Sequence, residues 1–468
     1  MNDLSQTVDM RACAPGPARF WRFIGPAGMI SVGYMDPGNW ATDLGGGARF
    51  GYQLLWVLVA SNLIAVLLQS LAARLGVVTG RDLAQSCRDR YSRPVALALW
   101  VLCEIAIIAC DLAEVLGGAI ALNLLFNLPL AWGAVLTGLD VMLIIALQHY
   151  GIRKLEAVIA GMVLLIGACM AFNVILAAPD WSAVAGGLVP RLNGASLYVA
   201  IGILGATVMP HNLYLHSSLV QTRRIERGVV AQREAIRYNF FDTALALNIA
   251  FLINAAILIV SAATFFTRGI EVTELRQAHE LLTPLLGSAG ASLAFAIALL
   301  AAGQSSSVTG TLAGQIVMEG FLQWRVKPVW RRLITRLIAV VPAVAVLVTM
   351  GERGVLGLLV LSQVILCLQL PFAMVPLIRF TNDGAAMGAF ASPRWVRYLA
   401  FGVAVTITGL NVWLVWQALT ESGVGGIDAP LWRALFGLVG FACASLLIWI
   451  AVTPLRPARS VGSRGQST

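Results

Sequence analysis

Long apolar runs recur along the chain from Ile24 to Leu455, with only short polar segments between them. A helix needs about 20 apolar residues to cross about 30 Å of hydrocarbon, and most of these runs approach that length. Because the bilayer core offers no water to backbone N–H and C=O groups, such runs favour helices that bond their own backbone. The pattern predicts twelve membrane spans, at residues 24–45, 53–75, 95–121, 129–149, 155–178, 196–221, 239–265, 284–309, 333–350, 355–379, 397–418 and 431–453.

The composition places the chain in lipid rather than in water. Of its 468 residues, 59% are hydrophobic and only 12% are charged, and no soluble domain fits between the spans. The 7 cysteines are scattered mostly inside apolar segments, without the paired spacing of a zinc or redox site. We interpret them as small buried hydrophobic side chains.

The net charge of +9 comes from short Lys and Arg clusters between the spans. These clusters lack interleaved aromatic residues, which argues against nucleic acid as a partner. They concentrate in the loops on one side of the membrane, and cytoplasmic loops carry such an excess, so both termini are predicted to be cytoplasmic. The chain has no Asn-x-Ser/Thr acceptor, which favours a bacterial cell (inner) membrane. Apart from the lipid bilayer, nothing in the sequence indicates an obligatory partner.

Two spans are interrupted by proline at their centres. The first carries Asp36-Pro37-Gly38-Asn39 and the sixth carries Met209-Pro210-His211-Asn212. The two interrupted spans lie five spans apart, and because five is an odd number they cross the membrane in opposite directions. Two inverted five-helix halves with broken first helices are typical of secondary transporters that bind their substrate at the midplane.

The predicted fold is therefore an all-α integral membrane protein of the leucine-transporter type, with discontinuous helices in the first and sixth spans. The predicted organisation is a cytoplasmic segment at 1–23, a transport core at 24–380 with repeats 24–178 and 196–380, accessory helices at 381–455, and a disordered cytoplasmic tail at 456–468.

The two breaks offer ligands for a cation. Proline removes a backbone donor, so carbonyl groups near Gly33 and Ala206 lose their helical partners. Asp36 adds a carboxylate and Asn39 an amide oxygen, whereas Met209 adds a thioether, which suits Mn²⁺, Fe²⁺ and later transition metals better than Mg²⁺ or Ca²⁺. Taken singly, a proline break is also typical of a packing kink, and a buried methionine of core filling. The occurrence of both breaks together favours a metal site.

Acidic residues also follow one face of the third span. Glu104, Asp111 and Glu114 are spaced by nearly whole helical turns, and an acidic stripe inside a membrane indicates a proton or ion path. Arg336, near the start of the ninth span, is the candidate counter-charge. Structural salt bridges are the alternative role for these carboxylates.

Two histidines in the sixth span are candidate proton carriers as well. His211 and His216 follow the sixth break, and imidazole titrates near physiological pH. For His216, a simple hydrogen bond between helices is the alternative.

Three motifs resemble the natural resistance-associated macrophage protein (Nramp) family of proton-coupled metal transporters, especially its bacterial manganese-transporting members. They are Gly33 to Asn39, Ala206 to Asn212, and Gly303-Gln304-Ser305-Ser306 through Met318-Glu319-Gly320. The resemblance covers nearly the whole chain. It implies metal binding by side chains of Asp36, Asn39 and Met209 and by carbonyls of Gly33 and Ala206. It further implies state-dependent or water-mediated ligands at Gln363 and Asn254, and an arginine such as Arg336 beside Asp111.

The predicted function is proton-coupled import of Mn²⁺, with Fe²⁺, Co²⁺ and Cd²⁺ as further substrates, by alternating access. The metal ion is the substrate, and no resident cofactor is predicted. A sodium-coupled organic-solute symporter of the same fold is the alternative within transport, and a metal-binding membrane sensor is the alternative outside it. An enzyme is disfavoured because the sequence has no nucleophile elbow, no His-Glu-x-x-His and no phosphate loop.

Overall fold

The computed structural model describes residues 8–10, 17–138, 151–226, 228–272, 274–324, 328–350, 354–420 and 430–457. Within this part of the chain, eight helical stretches are long and apolar enough to cross a membrane. The protein is therefore a multi-pass helical membrane protein, as predicted.

The helices of the first half are α1 to α8, at Pro17–Phe23, Pro26–Ser31, Pro37–Phe50, Leu55–Thr79, Leu83–Arg90, Arg93–Phe126, Ile152–Ala177 and Trp181–Gly186. The helices of the second half are α9 to α18, at Gly194–Thr207, Pro210–Leu219, Val229–Thr264, Leu275–Leu286, Ala289–Leu322, Pro328–Met350, Val355–Asn382, Gly384–Met387, Arg394–Thr420 and Pro430–Val452. Short 3₁₀ turns lie at Gly33–Met35, Gly51–Leu54, Val220–Thr222, Phe266–Arg268 and Gly388–Phe390.

Each predicted span overlaps a helix in the described residues, but the bounds differ: the eighth span, 284–309, begins inside α12 and crosses the non-helical residues Gly287 and Ser288 before α13. The fourth span is helical over residues 130–138, and its remainder, 139–149, lies outside the described residues. The first span divides into α2 and α3, and the sixth divides into α9 and α10. The predicted interruptions are thus present, and each second half-helix begins at its proline.

The broken helices lie at the centre of the molecule. The helix α11 packs along α3 and α4, α9 packs against α3 and α15, and α13 runs along α6 and α7. The close approach of α6 to the first break requires Gly117, where a Cβ atom would overlap the Pro37 ring. The last two helices, α17 and α18, pack against α15.

The ends of the chain are attached to this bundle. A two-residue strand β1, Val8–Asp9, pairs in parallel with β2, Arg223–Arg224, and Met10 is fully buried just after β1. At the other end, the Arg456 N–H donates to the Arg90 carbonyl. The rest of the predicted tail, 458–468, lies outside the described residues.

Candidate metal centre

The two breaks face each other. A Cβ atom built on Gly33 would lie 3.2 Å from the Met209 Sδ atom, so the first break abuts the thioether of the second. The Asn212 amide joins them, because its Nδ2 lies 3.7 Å from Met209 Sδ and 3.4 Å from the Ile30 carbonyl oxygen. Residues more than 170 positions apart in the sequence therefore line one small volume.

Proline explains which carbonyl groups are freed. A helix would bond the carbonyl of each residue to the N–H four positions later, and at Pro37 and Pro210 that N–H is missing. The affected carbonyls are those of Gly33 and Ala206, the two that the sequence singles out. Gly33 accepts a single long bond of 3.4 Å from the Asp36 N–H. Gly33 itself lies against Met209 and Asn212 at the meeting point of the breaks.

Asp36 is fixed at the start of α3. Its backbone is extended, and one carboxylate oxygen, Oδ1, accepts the Asn39 N–H at 2.8 Å, which caps the helix. The other oxygen, Oδ2, lies 3.8 Å from the Cys110 Sγ atom. Asp36 and Met209 are fully buried and Asn39 is 1% exposed, so the positioned charge sits in an apolar interior where it needs a partner.

Three amide side chains near the breaks keep an oxygen without a hydrogen-bond partner in the described part of the chain. Among the described residues, Asn39 Oδ1, Gln363 Oε1 and Asn212 Oδ1 have no hydrogen-bond partner. The Gln363 amide lies directly over Gly38, where any Cβ atom would overlap it. Buried amide oxygens normally have partners, so their convergence here is what a cation-binding site requires.

Asn254 is attached to the first break. Its Nδ2 donates to the Tyr34 carbonyl at 2.7 Å, and its Oδ1 has no partner among the described residues. It therefore holds the 3₁₀ turn while leaving one oxygen available.

The acidic stripe lies beside the site. Glu114 is close enough to Asp36 for their charges to interact, and its Oε2 accepts the Ser307 hydroxyl at 3.0 Å. Asp111 and Glu114 both lie over Gly310 of α13, at 3.7 and 3.0 Å from a Cβ atom built there. The two carboxylates thus share one face of α6, as the spacing predicts.

Glu104 has a partner that the sequence analysis missed. The buried Arg331 guanidinium, on α14, donates to both of its oxygens at 2.9 and 3.0 Å, and Trp100 donates to one of them at 3.1 Å. Gly314 gives the arginine room on α13. The side chain of Arg336 lies outside the described residues, so its pairing with Asp111 stays a prediction.

The two histidines have different surroundings. His211 is buried next to Met209 and interacts electrostatically with Asp111. The His216 Nδ1 lies 3.0 Å from Gln69 Oε1, and Gln69 donates in turn to the Tyr34 hydroxyl at 2.7 Å. His216 therefore makes the hydrogen bond between helices that was its alternative role.

One buried carboxylate went unnoticed in the sequence. Asp43 is fully buried on α3, and neither oxygen has a hydrogen-bond partner among the described residues. It interacts electrostatically with Asp36. Its spacing of four residues from Asn39 and seven from Asp36 is the signal that was available, because such positions share a helix face.

An ionic network fixes the start of the first broken helix. Arg223, whose side chain is 0% exposed, donates to Glu156 of α7 at 2.8 Å and to the carbonyls of Phe23 and Ile24 at 3.1 and 3.0 Å. Burial lowers the pKa of Arg223 and the Glu156 charge opposes that shift. Asp242 of α11 accepts the Ala27 N–H at 3.0 Å and so caps α2. We call the side of the bundle that carries this network the N-terminal face.

A cavity opens on the opposite face. It has a volume of about 470 Å³, and Ala41, Gly45 and Ala48 of α3 line it together with Tyr198 and Val360. A second cavity, of about 630 Å³, lies on the N-terminal face and is lined by Phe23, Gly76 and Arg223. The candidate ligands themselves are buried between these two faces.

No group of three or more His, Cys, Asp or Glu residues with metal-holding geometry occurs in the described ranges. The candidate site instead combines a single carboxylate with amide, carbonyl and thioether groups. Such a set fits a cation that binds and leaves rather than one that stays as structural metal.

The family model for "Natural resistance-associated macrophage protein-like" proteins matches residues 27–417. The chain belongs to the Nramp family. The resemblance carried by the three motifs is thereby confirmed. Nramp relatives named divalent metal cation transporter MntH include one from Nostoc sp., 55% identical over 86% of this chain and 94% of the relative, and one from Xanthomonas campestris, 56% identical over 85% and 91%.

A solved structure supports the same Nramp fold. The manganese transporter of Eremococcus coleocola, 36% identical, superposes with a TM-score of 0.87 over 97% of this chain and 98% of its own. The nucleobase-cation-symport-1 family transporter Mhp1 is 17% identical with a TM-score of 0.55, and this likeness concerns the fold alone. The relatives are named as transporters and not as enzymes, in agreement with the sequence analysis.

Proposed function

We propose that this Nramp protein imports divalent transition-metal ions across the cell (inner) membrane, Mn²⁺ above all, with Fe²⁺, Co²⁺ and Cd²⁺ as further substrates. The observation that carries the proposal is the meeting of two helix breaks, which places the Met209 thioether against Gly33, three residues before the buried Asp36 carboxylate. A carboxylate supplies charge for any divalent ion, whereas a thioether adds affinity only for softer ones. The names of the MntH relatives and of the manganese transporter support the same substrates.

Inward proton movement is proposed to drive the import. Glu114 and Asp111 lie beside Asp36 but belong to a different helix, so they are placed to carry protons without occupying the metal shell. His211 is a further candidate because it interacts with Asp111. The ion pair of Glu104 with Arg331 continues the polar line along α6. In this proposal both termini are cytoplasmic, the N-terminal face is the cytoplasmic face, and no resident cofactor is needed.

The deciding experiment is flux in proteoliposomes. Purified protein is reconstituted with a pH-sensitive dye inside, and uptake of Mn²⁺, Fe²⁺, Co²⁺, Cd²⁺, Mg²⁺ and a panel of amino acids is followed. We expect Mn²⁺ uptake with acidification of the lumen and no organic-solute uptake. Sodium-dependent uptake of an organic solute would instead establish the symporter alternative, and Mn²⁺ binding without any flux would establish the sensor alternative.

Proton movement is expected to be separable from metal binding. For Asp111→Asn or Glu114→Gln, we expect Mn²⁺ affinity to remain measurable, since neither side chain is placed in the metal shell, but uptake to lose its dependence on pH. Isothermal titration and the pH-dye assay measure the two properties. Glu280→Gln is the matched control, because it makes the same change in the exposed ion pair with Arg276. Wild-type acidification in both α6 variants would transfer the proton role to the histidines.

Alternating access requires the N-terminal face to open. Glu156→Gln removes the ion-pair partner of the buried Arg223 and leaves only the more distant charge of Asp242. Breaking a buried ion pair costs roughly 3–5 kcal/mol before the remaining carbonyl acceptors are considered. We therefore expect the closed state to lose stability. The probe is a cysteine introduced at Ile30 in a chain whose native cysteines are replaced. We expect this cysteine to be alkylated at least about tenfold faster, which is the change that a shift of about 1.4 kcal/mol in the equilibrium produces. The exposed Glu280→Gln change is expected to leave the rate unaltered. Equal rates in all three proteins would show that this network does not hold the gate.

A further inference from the structure

Cys110 stands between the Asp36 carboxylate of the candidate site and the neighbouring Glu114 carboxylate. Its Sγ atom lies 3.8 Å from Asp36 Oδ2 and 3.9 Å from Glu114 Oε1, and the side chain is 3% exposed. Both distances are within the range of a weak thiol hydrogen bond. The sequence has seven cysteines, and the structure describes six of them. Among these six is Cys110, which lies beside the candidate metal ligand Asp36.

The same thiol also packs beside the thioether. Cys110 and Met209 belong to one small apolar cluster, completed by Ala106, Ala109 and Leu366. Cys110 thus reaches the Asp36 carboxylate from α6, while Met209, at the break before α10, lies against Gly33 of the same broken helix. The candidate shell holds a second soft donor in addition to Met209.

Independent observations indicate a ligand at this point. The buried amide oxygens of Asn39 and Gln363 lack partners among the described residues, and Gln363 lies over Gly38, two residues after Asp36. A thiol that only filled space would need no such neighbours, whereas a cation seated between Asp36 and Met209 would use them. A cation in that position would lie within reach of the Cys110 sulfur.

We propose that Cys110 is a specificity-determining residue, whose sulfur joins Met209 as a donor to soft divalent ions such as Cd²⁺ and sets the preference of the site between soft and hard metals. Thiolate and thioether donors both favour soft ions, and Mn²⁺ is held mainly by oxygen. When such an ion binds the sulfur, the thiol proton must leave, and the Glu114 carboxylate is the neighbouring acceptor. This inference rests on the proposed metal transport.

Cys110→Ser tests the proposal because it keeps the size and the hydrogen bonds of the thiol but replaces sulfur by oxygen. We expect its Cd²⁺ affinity to fall by about tenfold or more while its Mn²⁺ affinity changes by less than about threefold. Cd²⁺ added to wild-type protein is expected to produce the ultraviolet sulfur-to-cadmium charge-transfer band, and Cys110→Ser is expected to lack it. Cys367→Ser is the matched control, since Cys367 is fully buried in the main core, and the band is expected to persist there.

Each outcome has one meaning. A charge-transfer band that persists in Cys110→Ser, or equal losses of Cd²⁺ and Mn²⁺ affinity in that variant, would overturn the specificity role and leave the thiol as a packing or hydrogen-bonding group. If the wild-type protein bound neither ion, the proposed function itself would fail. Mn²⁺ binding by the wild type, measured by calorimetry in the same preparation, separates these two failures.

Discussion

Asp36→Ala is expected to abolish metal uptake while the protein remains folded and inserted. The substitution removes the carboxylate that begins α3 at the first break, beside the amide of Asn39 and the sulfur of Cys110, whereas Glu114 and Asp43 lie further along their helices. Without that charge, the desolvation of a divalent cation in the membrane interior has no compensation. We expect Mn²⁺ affinity and uptake to fall by more than about 100-fold, since even supporting residues of metal sites are worth about 10–100-fold.

Two variants separate the charge of Asp36 from its structural role. Asp36→Asn keeps an oxygen that accepts the Asn39 N–H and so retains the helix cap, yet it is expected to be as inactive as Asp36→Ala. Asp180→Ala removes a cap of the same kind, because Asp180 accepts the Ser182 N–H at 2.9 Å at the exposed start of α8. The loss of such a cap costs about 1 kcal/mol of stability, so we expect Asp180→Ala to retain full Mn²⁺ uptake. Substantial Mn²⁺ flux through Asp36→Asn would remove Asp36 from the metal shell.

The breaks of the first and sixth spans are predictable from the sequence because proline acts locally. Pro37 and Pro210 each remove the donor for the carbonyl four residues earlier, so the pattern alone identifies Gly33 and Ala206. The apolar runs likewise predict the spans, since the bilayer imposes one length on all of them. These features depend on neighbours in the sequence and on the solvent, and both are readable from one chain.

Partners across helices are not predictable in this way. Arg331 and Arg336 lie five residues apart on α14, and only the rotation of that helix against α6 decides which of them reaches Glu104. Cys110 appears in the sequence as one more small residue of an apolar span, and its proximity to Asp36 follows from the packing of α6 against the first break. The same holds for Arg223 of β2, which donates to the carbonyl groups just before α2 from 199 and 200 positions away.

Met209→Ala is expected to change selectivity more than activity. Thioether sulfur binds Mn²⁺ through Cd²⁺ usefully, whereas Ca²⁺ and Mg²⁺ prefer oxygen, and the space left by the side chain admits water as a replacement ligand. We expect Mn²⁺ transport to survive with affinity lower by about tenfold, Cd²⁺ affinity to fall by about 100-fold, and Ca²⁺ or Mg²⁺ to become a competitor or a substrate. Uptake of each ion is measured side by side for both proteins in liposomes of one preparation.

Met374→Ala controls for the loss of a buried methionine. Met374 is fully buried in the main core on α15, and a Met→Ala change at such a position costs roughly 2–5 kcal/mol of stability. It is expected to lower the melting temperature without altering the order of ion preference.

The comparison of Met209→Ala with Cys110→Ser then distinguishes the roles of the two sulfur atoms in metal selection. If the thioether acts mainly against hard ions, only the methionine variant admits Ca²⁺, because serine still fills the space beside Asp36 and alanine does not. If both sulfur atoms bind the soft ion, each single variant weakens Cd²⁺ and the double variant weakens it further, with a coupling between them because they share one ligand. An unchanged preference for Cd²⁺ over Ca²⁺ in Met209→Ala would mean that the thioether does not select the metal, and selection would have to come from the oxygen ligands around Asp36.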